Sequence, residues 1–439
     1  MQSPMSRGPT GGHEGARISS QNRIYYGWVI VSVSLLNLLI LYGIWYSYSV
    51  FLVSFGREFG WNRVRASSIF SVFVLVIAFT GPFVGYLLDR FGSRKLLSLG
   101  SLTIAAGLFL CSNGDSIAAL YITFGVIVGM GGSLIGLVGN SQAISSHFSK
   151  KRGLAIGIAT SGIGLGMMVI VPIVQVWVSK YGWRSGFSLL SLIAVLILFP
   201  TNAILMRDKL PAWHSCTSRE NRLPSGRLAF PGFSKELKRD ALRIFRDSEF
   251  WRIFFIFFSG GFVVQAVLIH QVAIAADAGF NQLAVATALG VLGIVGTIGR
   301  TIWGFLSDHQ GRQKAFLCAS VALILGLCAI LVAKTFGSFI GLYSYAFLFG
   351  LGYSAIAPLN WTIAADVYSG NRFGFVYGFL FMGTGIGAAL GPLTSGFFFD
   401  KLSDYDFVFA LVGMSLAISN VFLRQVYSKG FVADSLQRT

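Results

Sequence analysis

Residues 85–95 read GYLLDRFGSRK, and residues 304–314 read GFLSDHQGRQK. Gly85, Leu87, Asp89, Gly92 and Lys95 return as Gly304, Leu306, Asp308, Gly311 and Lys314 at an offset of 219 in a chain of 439 residues. A second set keeps nearly the same distance. Gly153, Gly157, Gly162, Gly164 and Gly166 return as Gly374, Gly378, Gly383, Gly385 and Gly387 at an offset of 221. One such match is unremarkable in a chain with 53 glycines, but two at almost one offset mark a chain built from two related halves.

Composition says what the halves are made of. Hydrophobic residues make up 54% of the chain, charged residues only 12%, and the mean hydropathy is +0.70. A soluble domain carries about 25% charged residues, so an ordinary cytosolic enzyme and a disordered chain are both excluded. A membrane-crossing helix needs about 20 mainly apolar residues. Twelve stretches free of Asp, Glu, Lys and Arg meet that need: 24–56, 66–88, 96–114, 116–149, 153–179, 185–206, 253–276, 278–299, 315–333, 335–365, 373–399 and 407–423. They lack the period-two alternation of barrel strands. The expected fold is therefore an all-α membrane protein with twelve transmembrane helices in two six-helix bundles. The expected division is a disordered tail over 1–22, bundles over 23–206 and 251–427, a basic linker over 207–250 and a tail over 428–439.

The net charge of +17 would suggest nucleic acid in a soluble protein. Its distribution points to the bilayer instead. With both termini placed in the cytoplasm, the opposite side holds only Arg57, Arg63, Arg65, Lys180, Arg184, Lys334 and Lys401. Basic residues favour the inside, so both termini are expected to be cytoplasmic in a multi-pass cell-membrane protein. No cleavable signal precedes the first span. The linker is rich in Lys and Arg and is expected to lie on anionic headgroups. No P-loop, HExxH or CxxC occurs, and the histidines at 13, 147, 214, 270 and 309 are scattered. Neither cofactor nor metal is expected, and a monomer is the working expectation.

Arg300 is the one charge well inside a span. It precedes Asp308 by eight residues, about 12 Å of helix. A central Arg costs at least roughly 2.5 kcal/mol on insertion scales, so it must face a cavity or a partner. Guanidinium grips carboxylate through a bidentate fork, which makes a small organic anion the natural ligand; an ion pair supporting the fold is the alternative. His270 and Asp277 lie two turns apart and share a helix face. Tyr46, Asn140, Asn360 and Tyr377 are polar in apolar surroundings and are candidate cavity-lining residues. Interhelical hydrogen bonding would explain each of them equally well.

The 85–95 segment resembles the signature loop of the major facilitator superfamily. HFSKKRGLAIGIATSGIGLG at 147–166 and YYGWVIVSVS at 25–34 resemble the monocarboxylate transporter family. IHQVAIAADAGF at 269–280 and the GR-x-x-x-G-x-x-x-D pattern at 299–308 are similar to its bacterial members and to the related oxalate:formate antiporters. The resemblance implies two bundles around a cavity that opens alternately to each side. It also implies a substrate-carboxylate role for Arg300, binding by His270, and proton coupling of Asp277 to Arg300. Chemistry suggests gate contacts: Asp89 and Asp308 can pair with Arg90, Arg94 or Arg312 or face a neighbouring helix N-terminus, and Asp366 and Arg372 of the helix 10–11 loop are further gate candidates. There are departures. Many of these transporters have an Asp four residues before the helix 8 Arg, where this chain has Gly296. A helix 1 Lys of the animal members aligns with Tyr46, and helix 11 lacks the second basic residue of the antiporters. A single buried cation favours a monocarboxylate over a dicarboxylate.

The expected function is secondary active transport of small monocarboxylates such as lactate or pyruvate, with a proton. An exchanger of the oxalate:formate type and a nutrient-sensing receptor on a transporter scaffold are the alternatives. No enzymatic activity is expected.

Overall fold

The repeated signature segments owe their glycines to one backbone conformation. Gly92 closes the second helix at φ 82°, ψ 158°, and Gly311 closes the eighth at φ 88°, ψ 153°. This region is open essentially to glycine alone. The two turns therefore have the same shape for the same reason, and each starts the next helix at once.

The computed structural model describes residues 12–145, 147–148, 152–207, 245–368 and 373–428. The helices are α1 (Gly12–Phe59), α2 (Arg63–Phe91), α3 (Ser93–Ser112), α4 (Ile117–Ile144), α5 (152–181), α6 (183–205), α7 (Ser248–Asp277), α8 (Gln282–Gln310), α9 (Arg312–Phe336), α10 (Phe339–Val367), α11 (Phe373–Leu402) and α12 (Asp406–Ser428). Eleven helical stretches among the described residues are long and apolar enough to cross a membrane. One of them, Ala155–Leu205, runs for 51 residues and is broken at Gly182, φ 81°, ψ 166°. That break divides it into α5 and α6 and makes twelve spans. Side-chain caps on Asn62, Ser116, Asn281 and Ser338 start four of the helices by accepting a bond from an N–H three residues on.

Residues 12–22 form the opening stretch of helix α1, which begins at Gly12. No proline interrupts that stretch, and Ala, Arg and Gln favour helix. Helix α7 begins at Ser248, where the Asp247 side chain accepts from the Glu249 N–H. Most of the 207–250 linker and the tail from 429 onward lie outside the described residues.

Three spans are broken. Helix α4 changes direction at Gly136 (ψ −169°). Helix α7 breaks after Leu268 and resumes at Gln271. Helix α10 breaks between Ser354 and Ile356.

The glycine repeat explains how the halves are assembled. A Cβ on Gly162 or Gly166 would collide with the α1 backbone at Leu35 and Leu39. A Cβ on Gly387 would collide with the α7 backbone at Phe258, and one on Gly383 would press on Phe254. Each set thus seats its helix on the first helix of its own half. The middle glycine of each set faces the other way. Gly164 abuts Thr297 and the Gly293 carbonyl of α8, and Gly385 abuts Ala78 of α2. The halves accordingly meet along α5 with α8 and α2 with α11. Small residues supply this close approach where lipid gives little hydrophobic drive.

At the end away from the termini, α1 also touches the second piece of α7. Among the described residues, α4 and α10 make no comparable contact with the opposite half. The two halves are joined at the far end through α1 with α7 and the Arg63–Asp277 pair.

Candidate functional site

Arg300 sits on α8 with Ile298 and Ile302 on the exposed flank and Gly296 and Gly299 on the buried one. The glycines let α10 come close, and this places Tyr353 beside the guanidinium. The guanidinium carbon lies 5.6 Å from the centre of the Tyr353 ring. Its Nη1 donates to the Gly296 carbonyl at 3.2 Å. Among the described residues no carboxylate lies within ion-pair distance of it. A Cβ at position 296 would fall inside the Tyr353 hydroxyl. Tyr353 thus fills the space where a longer residue at 296 would stand.

Aromatic hydroxyls from both halves converge on this cation. Tyr42 and Tyr46 of α1 lie within its electrostatic reach, and Tyr46 also senses Tyr353. The Tyr42 and Tyr46 rings are 6.2 Å apart, one helical turn along one face. Tyr377 of α11 lies within reach of Tyr42 and packs on Trp361 at 4.6 Å and Phe257 at 5.8 Å. The Tyr353 hydroxyl is buried and makes no hydrogen bond, and the same holds for Asn360 Oδ1. Asn360 is only 4% exposed, its amide nitrogen beside Gly260 of α7. Buried polar atoms are normally paired, so an unpaired Tyr353 hydroxyl beside the Arg300 cation suits a polar ligand. Tyr42 and Tyr353 were not among the sequence candidates. Tyr42 was detectable as the residue one turn before Tyr46. Tyr353 was not, because its place depends on how α10 leans on α8.

Three candidates lie elsewhere. His270 is fully buried at the α7 break. Its Nε2 lies 3.0 Å from the Pro392 carbonyl and its Nδ1 3.1 Å from the Tyr405 hydroxyl. A carbonyl only accepts, so Nε2 carries the proton and Nδ1 of the neutral ring accepts from Tyr405. Both nitrogens are therefore engaged by protein in this conformation. Asp277 was expected to couple to Arg300; the structure pairs it with Arg63 of α2 instead, at 2.8 Å. Asn140 joins a packed network. Its Oδ1 accepts from Asn37 at 3.0 Å, Asn37 and Asn202 exchange two bonds, and Asn202 donates to Ser101. The Asn140 amide covers the Ile135 and Gly136 carbonyls released by the α4 break. It holds helices together.

The gate candidates divide. Arg312 donates to Asp308 (2.5 Å), Ser307 (2.6 Å) and Asp366 (3.2 Å), and Asp366 also accepts from Tyr427. These residues all belong to the second half. Arg94 donates through Nε to the Ala203 carbonyl, tying α3 to α6. Asp89 and Arg90 occupy the last turn of α2, but their side chains lie outside the described residues, as does Arg372 altogether. In the far α11–α12 turn, burial would raise the Asp404 pKa, but the bonds from Lys334 and the nearby Asp406 and Tyr405 groups outweigh it and hold the carboxyl below the usual range.

The duplicated halves, the paired glycine turns and twelve spans find their counterpart in one family profile. The Major Facilitator Superfamily profile matches residues 34–368 and 301–430. The chain belongs to that superfamily. Within it, the chain is similar to several monocarboxylate transporters. It is 25% identical to Monocarboxylate transporter 4 of Gallus gallus over 419 residues, covering 91% of this chain and 82% of the relative. It is 26% identical to Monocarboxylate transporter 3 of Rattus norvegicus over 404 residues, covering 91% and 79%. Against Monocarboxylate transporter 13 of Bos taurus the identity is 26% over 397 residues, covering 89% and 87%. This superfamily chain is a multi-pass membrane transporter and not an enzyme.

Proposed function

We propose that this transporter carries small monocarboxylates of the lactate and pyruvate type by alternating access, with Arg300 as the carboxylate-binding group. The observation that carries the reading is a guanidinium in the span region with no carboxylate partner, with Tyr353 of the second half against it and Tyr42 and Tyr46 of the first half within its electrostatic reach. A monocarboxylate brings one negative charge for that one positive charge, and the orphaned Tyr353 hydroxyl offers a bond to a carboxylate oxygen or a 2-hydroxyl. Asn360 stands as a further contact and His270 as a residue that shapes the α7 break. With the termini in the cytoplasm, the joined far end makes this conformation inward-facing. A proton accompanies the acid, and Asp277, half exposed at the far end, is the group whose protonation loosens the Arg63 pair. The gate at the termini end closes through Asp89, Arg90 and Arg94 in one half and Asp308, Arg312, Asp366 and Arg372 in the other.

One observation favours exchange as a second reading. An empty carrier with an unpaired cation in its core is costly to reorient, and a bound anion removes that cost. Uptake into proteoliposomes under an imposed pH gradient separates the two. Labelled lactate or pyruvate accumulates with inward proton drive if the acid and proton travel together. Counterflow unaffected by the gradient selects exchange. Wild-type uptake unchanged by Arg300→Ala would remove the carboxylate assignment.

A further inference from the structure

We infer that Asp400 is the far-side latch of the transporter: a carboxylate of the second half that caps a helix of the first, at one of the two seams between the halves. Gly396 lets α11 reach the start of α2, since a Cβ there would fall 2.7 Å from the Arg63 carbonyl carbon and the Val64 nitrogen. One turn on, Asp400 accepts from the Arg63 N–H through Oδ1 at 2.8 Å and from the Val64 N–H through Oδ2 at 3.0 Å. These are the first two N–H groups of α2, and its own cap, Asn62, bonds that of Arg65. The first N–H groups of a helix have no partner inside it, and they carry the positive end of its dipole. Asp400 thus completes a helix end that the first half leaves incomplete. The Arg63 guanidinium is taken by Asp277, so Asp400 acts through the backbone.

The duplication supplies the comparison. The register that pairs Gly164 with Gly385 also pairs Gln175 with Gly396, Ser179 with Asp400 and Lys180 with Lys401. Helix α8 starts as α2 does, with Asn281 accepting from the Ala284 N–H. The rest of the device is missing. Gln175 stands where α11 has glycine, and the Ser179 hydroxyl turns back to the Val176 carbonyl of its own helix at 2.8 Å. Among the described residues no side chain of the first half bonds the Gln282 or Leu283 N–H. A hollow of about 500 Å³ occupies this seam, and Gln175, Ser179 and Gln282 all line it. At the far end the halves are therefore latched along α2 and α11 and unlatched along α5 and α8. Release of the Asp400 cap is the step that frees the far mouth, a role that rests on the alternating-access reading.

The test measures the mouth directly. Spin labels go on cysteines replacing exposed Arg65 and Leu283, near the starts of α2 and α8 in opposite halves, in full-length protein in nanodiscs without native cysteines. Asp400→Ala should raise the population at the longer distance by about fivefold, the usual worth of a side-chain cap. Asp400→Asn keeps one acceptor oxygen and should raise it less. Ser179→Asp places a carboxylate opposite the start of α8. It should lower the longer population below wild type and slow lactate uptake with no fall in melting temperature. An unchanged distribution in Asp400→Ala would overturn the proposal. So would an equal or larger shift in Asp400→Asn, which would assign the effect to charge and not to the cap, and so would a wider mouth in Ser179→Asp. The distances need no substrate, so failure of wild-type lactate uptake would count against the cargo and leave the latch standing.

Discussion

Arg63 Nη2 reaches both carboxylate oxygens of Asp277, at 2.8 and 3.0 Å, and the two residues belong to different halves of the duplicated chain. The same guanidinium lies over the Phe399 ring at 4.7 Å, and Asp400 accepts from the Arg63 and Val64 backbone N–H groups at 2.8 and 3.0 Å. The start of α2 is thereby fastened to the ends of α7 and α11. These helix ends must part for the far mouth to open.

A partly exposed ion pair contributes roughly 0.2–1 kcal/mol, and here the side chains are 18% and 43% exposed. Arg63→Ala or Asp277→Asn should therefore shift the conformational balance toward the far-open form by about 1.4- to fivefold. The check is maleimide labelling of a cysteine placed at buried Val50, in a background without native cysteines. Unchanged labelling in both variants would mean the pair does not hold the mouth shut.

The Tyr353 hydroxyl gives a test with opposite signs. A buried unpaired hydroxyl costs about 1–3 kcal/mol, so Tyr353→Phe should leave thermal stability equal or higher. If the hydroxyl meets substrate, KM for lactate should rise several-fold in the same variant. A fall in stability with unchanged KM would show that the hydroxyl serves packing alone.

The asparagine network predicts the reverse pattern. Asn37→Leu leaves the Asn140 and Asn202 amides short of partners inside the first half. Interhelical bonds of this kind average about 0.6 kcal/mol, reaching about 1.7, so a loss of about 1–3 kcal/mol is expected. Unfolding in detergent reads the loss, and KM of the surviving protein should stay at the wild-type value.

The glycine repeat predicts sites of unequal tolerance within one motif. A Cβ at Gly157 or Gly378 meets nothing within 4 Å, whereas one at Gly162 or Gly387 strikes the backbone of α1 or α7. Alanine at the first two should change stability by less than about 0.5 kcal/mol. At the other two the helices must separate, costing about 1–3 kcal/mol. Equal effects at all four positions in a melting series would contradict the packing described.

His270 supplies a last contrast. It bridges α7 to Pro392 of α11 and to Tyr405 just before α12. His270→Ala leaves the buried Tyr405 hydroxyl without its partner, whereas the Pro392 carbonyl keeps its place in the α11 ladder, so stability should fall by about 1–3 kcal/mol. If its role is to fix the α7 break, substrate KM in the folded fraction changes less than in Arg300→Lys. A larger change in KM than in stability would return His270 to the binding site.

What the chain's own order of residues determined is the set of properties that need no partner. Twelve apolar runs, a duplication, a cation about 12 Å into the eighth span and glycine turns at 92 and 311 follow from local composition and backbone sterics. Helical periodicity also assigns faces, and so it connected Tyr46 to one side of α1 and His270 to Asp277. It cannot say what stands opposite a face. Asn140 and His270 look as polar in the sequence as Tyr46, yet Asn37 and Asn202 claim one, and Pro392 and Tyr405 the other. Asp277 found Arg63, 214 residues away, and not Arg300. Tyr353 became a neighbour of Arg300 only because Gly296 lets α10 approach. Those outcomes depend on which helices lean together, and a buried polar group takes whichever partner the packing delivers, since leaving it unpaired costs more than almost any pairing.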